Sequence, residues 1–192
     1  MEGGLTRLRT ALIALALATP STVDAQTFDG STLTYQYYFP NSGTPYPDAD
    51  NGSFLVGPGL EVTNVSDNRA TLDISGSNIF IDFLNSSNWG PAEFNGWILS
   101  DQNDSLAAIL GVSIDPSTNL GAFSLSNISF TGDSITVNWQ GLSFTDSTVV
   151  SLNVAFGDTA VPEASTWAMM LLGFGAAGIA LRCGRKPKLA TA

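Results

Sequence analysis

The sequence lacks histidine and is almost free of cysteine, which excludes several kinds of catalytic and metal chemistry. No His occurs in the 192 residues, and the single Cys, Cys183, lies near the C-terminus. Ser-His and Cys-His nucleophile systems need an imidazole, and zinc and copper sites use imidazole or thiolate ligands. The long segment before Cys183 supports none of these. It has no disulfide either, so an apolar core must stabilise it.

Positive charge is also scarce in the middle of the chain. Six of the seven basic residues lie near the two ends, and Arg69 is the single one within residues 26–160, against fourteen acidic residues. Nucleic-acid binding depends on Lys and Arg that neutralise phosphates. The charge distribution therefore predicts no nucleic-acid partner, and it leaves cations, neutral glycans and basic proteins as candidates.

The first 25 residues have the three parts of a secretory signal peptide. Arg7 and Arg9 precede a short apolar stretch at 11–18. Val23 and Ala25 occupy positions −3 and −1 relative to the predicted cleavage site. An apolar stretch of about eight residues is too short to cross a bilayer core about 30 Å thick. We therefore predict that signal peptidase removes residues 1–25 and cuts between Ala25 and Gln26.

A second apolar stretch lies near the C-terminus. Residues 164–181 contain no charged side chain, and as a helix they would span about 27 Å, enough to cross a bilayer. The stretch ends in a basic tail made of Arg182, Arg185, Lys186 and Lys188. The positive-inside rule then predicts an inner-membrane helix at about 164–181, with the basic tail in the cytoplasm and the acidic segment outside.

The residues that precede this stretch carry a specific resemblance. The order of a short motif, an apolar Gly-rich span and a basic end is similar to the PEP-CTERM sorting signal of Gram-negative bacteria, and the motif consists of Val161, Pro162, Glu163, Ala164, Ser165, Thr166 and Trp167. The resemblance implies recognition and cleavage by an exosortase, a membrane-embedded cysteine protease, and an association with exopolysaccharide and biofilm matrix. Ala164 stands where the family has a second proline, so the fixed φ of Pro is missing there. A cleaved tail and a permanent anchor both stay open.

Short segments rich in β-branched and aromatic residues fill the middle of the chain, separated by Gly, Asn, Asp and Ser. Alternation of apolar and polar side chains predicts strands at 32–39, 60–65, 70–75, 78–84, 94–99, 107–114, 121–130, 134–140 and 149–156. The predicted organisation is a signal peptide at 1–25, a β domain at 26–157 and a linker with the sorting signal at 158–192. The fold class is all-β, an antiparallel β-sandwich of jelly-roll type.

An acidic loop is the one candidate metal site. Asp48, Asp50 and Asn51 lie close together before Gly52, and calcium binds several oxygen ligands of this kind. The loop lacks the further ligands of a complete EF-hand, and the alternative is a solvated turn. We predict no cofactor, with calcium at this loop as the alternative.

Two glutamates and several aromatic residues are candidates for a glycan site. Glu61 and Glu93 are the two glutamates of the β domain, and glycosidases work with a pair of carboxylates. Aromatic rings suit stacking on sugars, but they also build β cores. Trp97 and Trp139 lie in strand patterns that predict core positions, whereas Trp89 lies in a loop-like segment and is the more interesting candidate for a sugar contact.

These observations predict an exported, non-enzymatic protein of the cell surface or extracellular matrix. Its processing enzymes are signal peptidase and an exosortase, and its predicted partners are exopolysaccharide or envelope glycans. The alternatives are a secreted glycan-active enzyme that uses Glu61 and Glu93, and a calcium-stabilised carbohydrate-binding or adhesion module.

Overall fold

A computed structural model describes residues 26–157 and 170–175 of the chain, and β-strands dominate the first range. Within residues 26–157 there are twelve strands and one short 3-10 helix, Leu125–Asn127. The strands are β1 (Thr32–Tyr38), β2 (Gly52–Leu55), β3 (Leu60–Val62), β4 (Ala70–Ser75), β5 (Asn78–Phe83), β6 (Ser87–Asn88), β7 (Gly96–Ser100), β8 (Ile109–Ile114), β9 (Ile128–Phe130), β10 (Ser134–Asn138), β11 (Ser143–Phe144) and β12 (Val149–Phe156). The fold is all-β, as the sequence predicts.

The strands form two five-stranded antiparallel sheets and one small two-stranded sheet. The first large sheet has the order β2-β1-β7-β10-β9, and the second has the order β3-β4-β5-β12-β8. The two-stranded sheet pairs β6 with β11. Neighbouring strands such as β1 and β7, or β5 and β12, are not consecutive in sequence, because the chain passes back and forth between the two large sheets.

Alternation along each strand divides its side chains between a buried face and a more exposed one. In β5, Ile79, Ile81 and Phe83 are buried while Phe80 and Asp82 are exposed. The buried side chains of both large sheets form one hydrophobic core. Each fully buried large apolar side chain contributes about 1.5–3 kcal/mol through its removal from water, so this core stabilises the domain without disulfides.

A glycine allows the close approach of two strands in the first sheet. Gly96 of β7 pairs with Asn138 of β10, and a Cβ added at Gly96 would lie 1.9 Å from the backbone oxygen of Val137. No side chain fits that gap. The next residue, Trp97, is fully buried, so this close approach of the two strands lies directly beside the core.

Most of the predicted strands are present, with shorter bounds. The prediction at 121–130 is wrong for its first part, because residues 121–124 form turn and loop and Leu125–Asn127 is a 3-10 helix, which leaves only β9 extended. Three strands escaped prediction, namely β2, β6 and β11. They are only two to four residues long and rich in Gly, Ser and Asn, so they carry too little alternation to be recognised.

Several predicted segments lie outside the described residues. They are the signal peptide through Ala25, the sorting motif 161–167 and the basic tail 182–188. Within the predicted inner-membrane stretch, residues 170–175 are described and helical, with the side chains of Met170, Leu171, Leu172 and Phe174 exposed. Over 26–157 and 170–175, no helix has both the length and the apolar character needed to cross a bilayer.

Candidate functional site

A cleft of about 290 Å³ opens at one end of the strands, and we call it the Arg69 cleft. Three segments that are distant in sequence meet there: the end of β1 with the loop that follows it, the turn between β3 and β4, and the segment around β6. The lining residues are Tyr37, Phe39, Tyr46, Ser66, Asp67, Arg69, Asn88, Trp89, Gly90 and Asn95.

The turn between β3 and β4 places the charged residues of the cleft. Asp67 and Asn68 have φ values of 52° and 54°, a left-handed conformation that Asp and Asn adopt more readily than other non-glycine residues. The amide of Arg69 donates to the carbonyl of Ser66 at 2.9 Å and closes the turn. Arg69 is thereby held at the mouth of the cleft, directly before β4.

Three contacts hold the guanidinium of Arg69. Its Nη2 lies 3.2 Å from Oδ2 of Asp67, and its Nη1 donates to the backbone oxygen of Asn88 at 3.1 Å. Its Cζ lies 5.1 Å from the centre of the Trp89 ring, which is within the range of a cation–π contact. The single cation of residues 26–160 is thus fixed in one position on the cleft wall.

Tyr46 completes the outer part of the cleft. Its hydroxyl donates to Oδ1 of Asp67 at 2.9 Å, and this hydrogen bond raises the pKa of Tyr46 because the bond is lost when the phenol ionises. The Tyr46 ring also meets Phe39 edge to face, with 6.0 Å between ring centres. Tyr46, Asp67 and Arg69 therefore form one connected polar chain beside an aromatic wall.

A second, neutral network forms the inner part of the cleft. The buried hydroxyl of Tyr37 donates to Oδ1 of Asn95 at 2.8 Å, and Nδ2 of Asn95 donates to the carbonyl of Gly90 at 3.0 Å. Burial raises the pKa of Tyr37, so its hydroxyl stays protonated and keeps donating at physiological pH. This network fixes the orientation of the Asn95 amide.

Trp89, the tryptophan in the loop-like segment, is buried in the core. It is only 2 % exposed and stacks on Trp139 at a ring distance of 6.5 Å and an angle of 15°. Its amide donates to the carbonyl of Leu142, because the β6–β11 pair folds this segment onto the core. The prediction of core positions for Trp97 and Trp139 is confirmed, since both are fully buried.

The indole N–H groups of these three tryptophans are buried, and within residues 26–157 and 170–175 none of them has a hydrogen-bond partner. The aromatic part of the core therefore leaves three donors unpaired inside the described structure, next to the cleft wall that Trp89 forms.

The acidic loop predicted as a calcium site makes hydrogen bonds to segments that carry or adjoin the cleft residues. Oδ2 of Asp50 accepts from Thr63 Oγ1 at 2.7 Å and from the Asn64 amide at 2.9 Å. Asn51 accepts from the amide of Tyr37 at 2.7 Å and donates to the carbonyl of Tyr46 at 2.6 Å. The Asp50 side chain thus holds the segment that leads from β3 into the β3–β4 turn, and the Asn51 side chain holds the backbone of the two cleft tyrosines.

Asp48, the third member of that loop, takes part through its backbone. Its carbonyl accepts from the amide of Asp67 at 2.8 Å. In the described part of the chain, no group of three or more acidic, His or Cys side chains is placed to hold a metal ion. Calcium at this loop stays a prediction.

The structure does not bring Glu61 and Glu93 into the cleft. Glu61 lies where the β3–β4 register shifts, and its carboxylate accepts from the amides of Gly57 at 3.1 Å and Ile74 at 2.7 Å. Glu93 is exposed in the connection between β6 and β7. Neither residue lines the cleft, and among the residues that the structure describes Asp67 supplies its one carboxylate.

Comparison with known proteins bears on the C-terminal segment. The family model of the PEP-CTERM protein-sorting motif matches residues 160–186, so the chain carries this sorting motif, which indicates an exported protein that is sorted by an exosortase. No curated protein and no solved structure matches the chain.

Proposed function

We propose that this protein is a non-enzymatic component of the cell surface or extracellular matrix that associates with exopolysaccharide. The observation that carries the proposal is the sorting motif at 160–186, which directly follows a folded β domain that ends at Phe156. A sorting signal placed after a disulfide-free, acidic domain suits a protein whose task is to be delivered and retained outside the inner membrane.

The proposed route has two processing steps. Signal peptidase cuts between Ala25 and Gln26, and the helix at about 164–181 then holds the precursor in the inner membrane with its basic tail inside. Exosortase next cuts near Pro162 and Glu163. The mature β domain then passes to the cell surface or the medium.

We propose that the two large sheets stack as a β-sandwich of jelly-roll type. The buried faces of both sheets share one core, and Phe83 of β5 meets Trp139, which follows β10, at a ring distance of 6.0 Å. The chain also crosses between the sheets at β2–β3, β5–β7, β7–β8, β8–β9 and β10–β12, as repeated crossing in a jelly roll requires.

The chemistry of the cleft supports binding rather than hydrolysis. Glycoside hydrolysis uses two carboxyl groups about 5–10 Å apart, one on each side of the scissile bond. Among the described residues, the cleft offers only Asp67, and Arg69 and Tyr46 already engage its two oxygens. If Glu61→Gln or Glu93→Gln abolishes hydrolysis of a polysaccharide by the purified protein, the non-enzymatic assignment fails.

The test of sorting is the intact mass and C-terminal peptide of the protein recovered from its native host, in membrane and medium fractions. We expect a species that begins at Gln26 and ends near Pro162–Glu163 in the medium or at the surface. A Pro162→Ala/Glu163→Ala variant should keep its tail in the membrane, whereas Thr159→Ala, the matched linker control, should be processed normally. Full-length tail in the membrane for the unaltered chain contradicts the proposal.

A further inference from the structure

The charge balance of the Arg69 cleft selects against anionic ligands. The guanidinium of Arg69 is paired with Asp67 at 3.2 Å, so the cleft itself is close to neutral. Residues 26–160 contain fourteen acidic residues against this single cation, and their net negative charge repels anions. Because the guanidinium that could attract an anion is already paired, an uncharged ligand is favoured over an anionic one.

The polar groups at the cleft mouth suit a ligand that carries adjacent hydroxyl groups. A guanidinium has five N–H donors in a fixed plane, and the contacts with Asp67 and Asn88 engage only some of them. Each carboxylate oxygen has more than one lone pair, so Asp67 can still accept beside Arg69 and Tyr46. One ligand hydroxyl can then donate to Asp67 while its neighbour accepts from Arg69.

Aromatic rings provide the second half of the recognition. Phe39 and Tyr46 form one wall, with their rings 6.0 Å apart, and Tyr37 lies 6.1 Å from Tyr46 at the inner side. Aromatic faces pack against flat surfaces of C–H groups. A small polyalcohol presents such a surface poorly. The pattern requires a rigid ligand with hydroxyls along its edge and C–H groups on its face.

The size of the cleft limits the ligand to a small unit. Ligand sites in proteins occupy about 300–1,000 Å³, and this cleft, at about 290 Å³, lies at the bottom of that range. The networks that orient Arg69, Asp67 and Asn95 exist without ligand, so little ordering cost is added on binding.

We propose that the Arg69 cleft binds one or two rings of an uncharged saccharide, held by Arg69 and Asp67 through neighbouring hydroxyls and by Phe39 and Tyr46 through a C–H face. This deepens the matrix role proposed above and rests on it for its biological meaning. Binding by the purified full chain is nonetheless independent of sorting, so either proposal can fail alone.

The experiment is calorimetric titration of the purified full chain with four probes. The uncharged probes are methyl α-glucoside, methyl α-mannoside and dextran, and the charged one is alginate. We expect saturable binding of at least one uncharged probe and weaker or absent binding of alginate. No saturable binding of any uncharged probe, or tighter binding of alginate, overturns the proposal.

Variants locate the binding in the cleft. We expect Arg69→Gln and Asp67→Asn to weaken binding of the uncharged probe at least tenfold, and Tyr46→Phe to weaken it several-fold, because each removes a direct or supporting hydrogen bond. The matched controls lie elsewhere: Asp82→Asn on the exposed face of β5 removes the same charge as Asp67→Asn, and Tyr38→Phe removes a hydroxyl outside the cleft.

Each variant is first checked by thermal melting, so that loss of binding is separated from loss of folding. Tyr46→Phe keeps the aromatic ring in place and should melt close to the unaltered protein, which keeps the test valid if Arg69→Gln is unstable. Equal weakening by Tyr46→Phe and Tyr38→Phe would show that the saccharide binds elsewhere and would refute the assignment.

Discussion

Within residues 26–157, the two ends of the core are built from different side chains. A cleft opens at the end that is rich in aromatic residues. Tyr37 and Trp97 pair at one end of the first sheet and Phe83 lies at the matching end of β5, next to Trp89 and the Arg69 cleft. The opposite end holds mainly aliphatic residues, among them Leu33, Leu99, Ile135, Ile74 and Ile79. There Phe28 and Phe156 meet at 4.9 Å.

The difference in space between the two ends is large. The cleft at the aromatic end has about 290 Å³, whereas the void at the aliphatic end, lined by Phe28 and Leu33 among others, has about 10 Å³. A void of that size is at or below what a single water needs. Branched aliphatic side chains pack closely and close the core at one end. At the other end, several of the rigid rings carry polar groups that need hydrogen-bond partners, and the packing there leaves an accessible cleft.

The largest expected effect is the difference in stability between two Gly→Ala variants, one at each end of the core. Gly96→Ala, at the aromatic end, forces a Cβ to within 1.9 Å of a backbone oxygen, and we expect it to destabilise the domain by about 3 kcal/mol. Gly132→Ala is the control at the aliphatic end, since its Cβ would meet the Cβ of Ala108 at an ordinary 3.7 Å. Denaturant unfolding of both variants measures the difference, and equal stabilities would break the comparison.

Alkaline pH should act on the aromatic end. Burial raises the pKa values of Tyr35 and Tyr37 above the ordinary 10.0, so their contribution to stability is present below pH 10 and is lost as pH rises further. The loss is about 1.4 kcal/mol per pH unit for each tyrosine that stays protonated only in the folded state. Unfolding free energies at pH 9, 10 and 11 measure it.

Substitution identifies the source of that pH dependence. Tyr37→Phe should reduce the slope above pH 10 relative to the unaltered protein, because it removes one of the two buried phenols. Identical slopes for the variant and the unaltered protein would mean that the alkaline loss arises elsewhere.

At the aliphatic end, the carboxylate of Glu61 stabilises an irregular strand pair. Glu61→Gln replaces an oxygen that accepts from a backbone amide with an N–H₂ group that cannot accept, so we expect a loss of about 1–2 kcal/mol. Glu93→Gln changes an exposed residue and should have almost no effect. Comparable melting temperatures for the two variants would count against this role of Glu61.

The smallest effect is expected for Asp115, a half-buried residue directly after β8. Its carboxylate accepts from the amide and hydroxyl of Ser117 and from Nδ2 of Asn153, which lowers its pKa below the ordinary 3.8. Its contribution is therefore present above pH 3.8 and is lost as pH falls through the lower folded-state pKa. Asp115→Asn should lower the melting temperature slightly at pH 7, and the gap should close in acid.

Prediction from sequence succeeded for features that neighbouring residues encode. Alternation placed β4 and β12 at their observed bounds, because a strand's side chains point to opposite faces with a period of two. The sorting motif was recognisable because its residues are contiguous. The burial of Trp97 and Trp139 followed from their positions in alternating strands.

The cleft could not be predicted in the same way. Its lining comes from residues 37–46, 66–69 and 88–95, and no local pattern states that these segments meet. One signal was available in hindsight: Arg69 is the single cation of a strongly acidic segment, and such a residue needs a partner. The burial of Trp89 and the backbone contacts of Glu61 could not be predicted either, because they depend on β6–β11 pairing and on a register shift, which short polar sequences do not reveal.

The sequence by itself determined the β character of the domain, the positions of most core residues, the segregation of charge and the C-terminal sorting signal, since these depend on composition and on residues close together in the chain. Only the tertiary structure decided that Arg69, Asp67 and Tyr46 line one cleft and that the opposite end of the core is closed. The physical reason is that antiparallel pairing joins residues far apart in sequence, and their distances are set by the packing of the whole core.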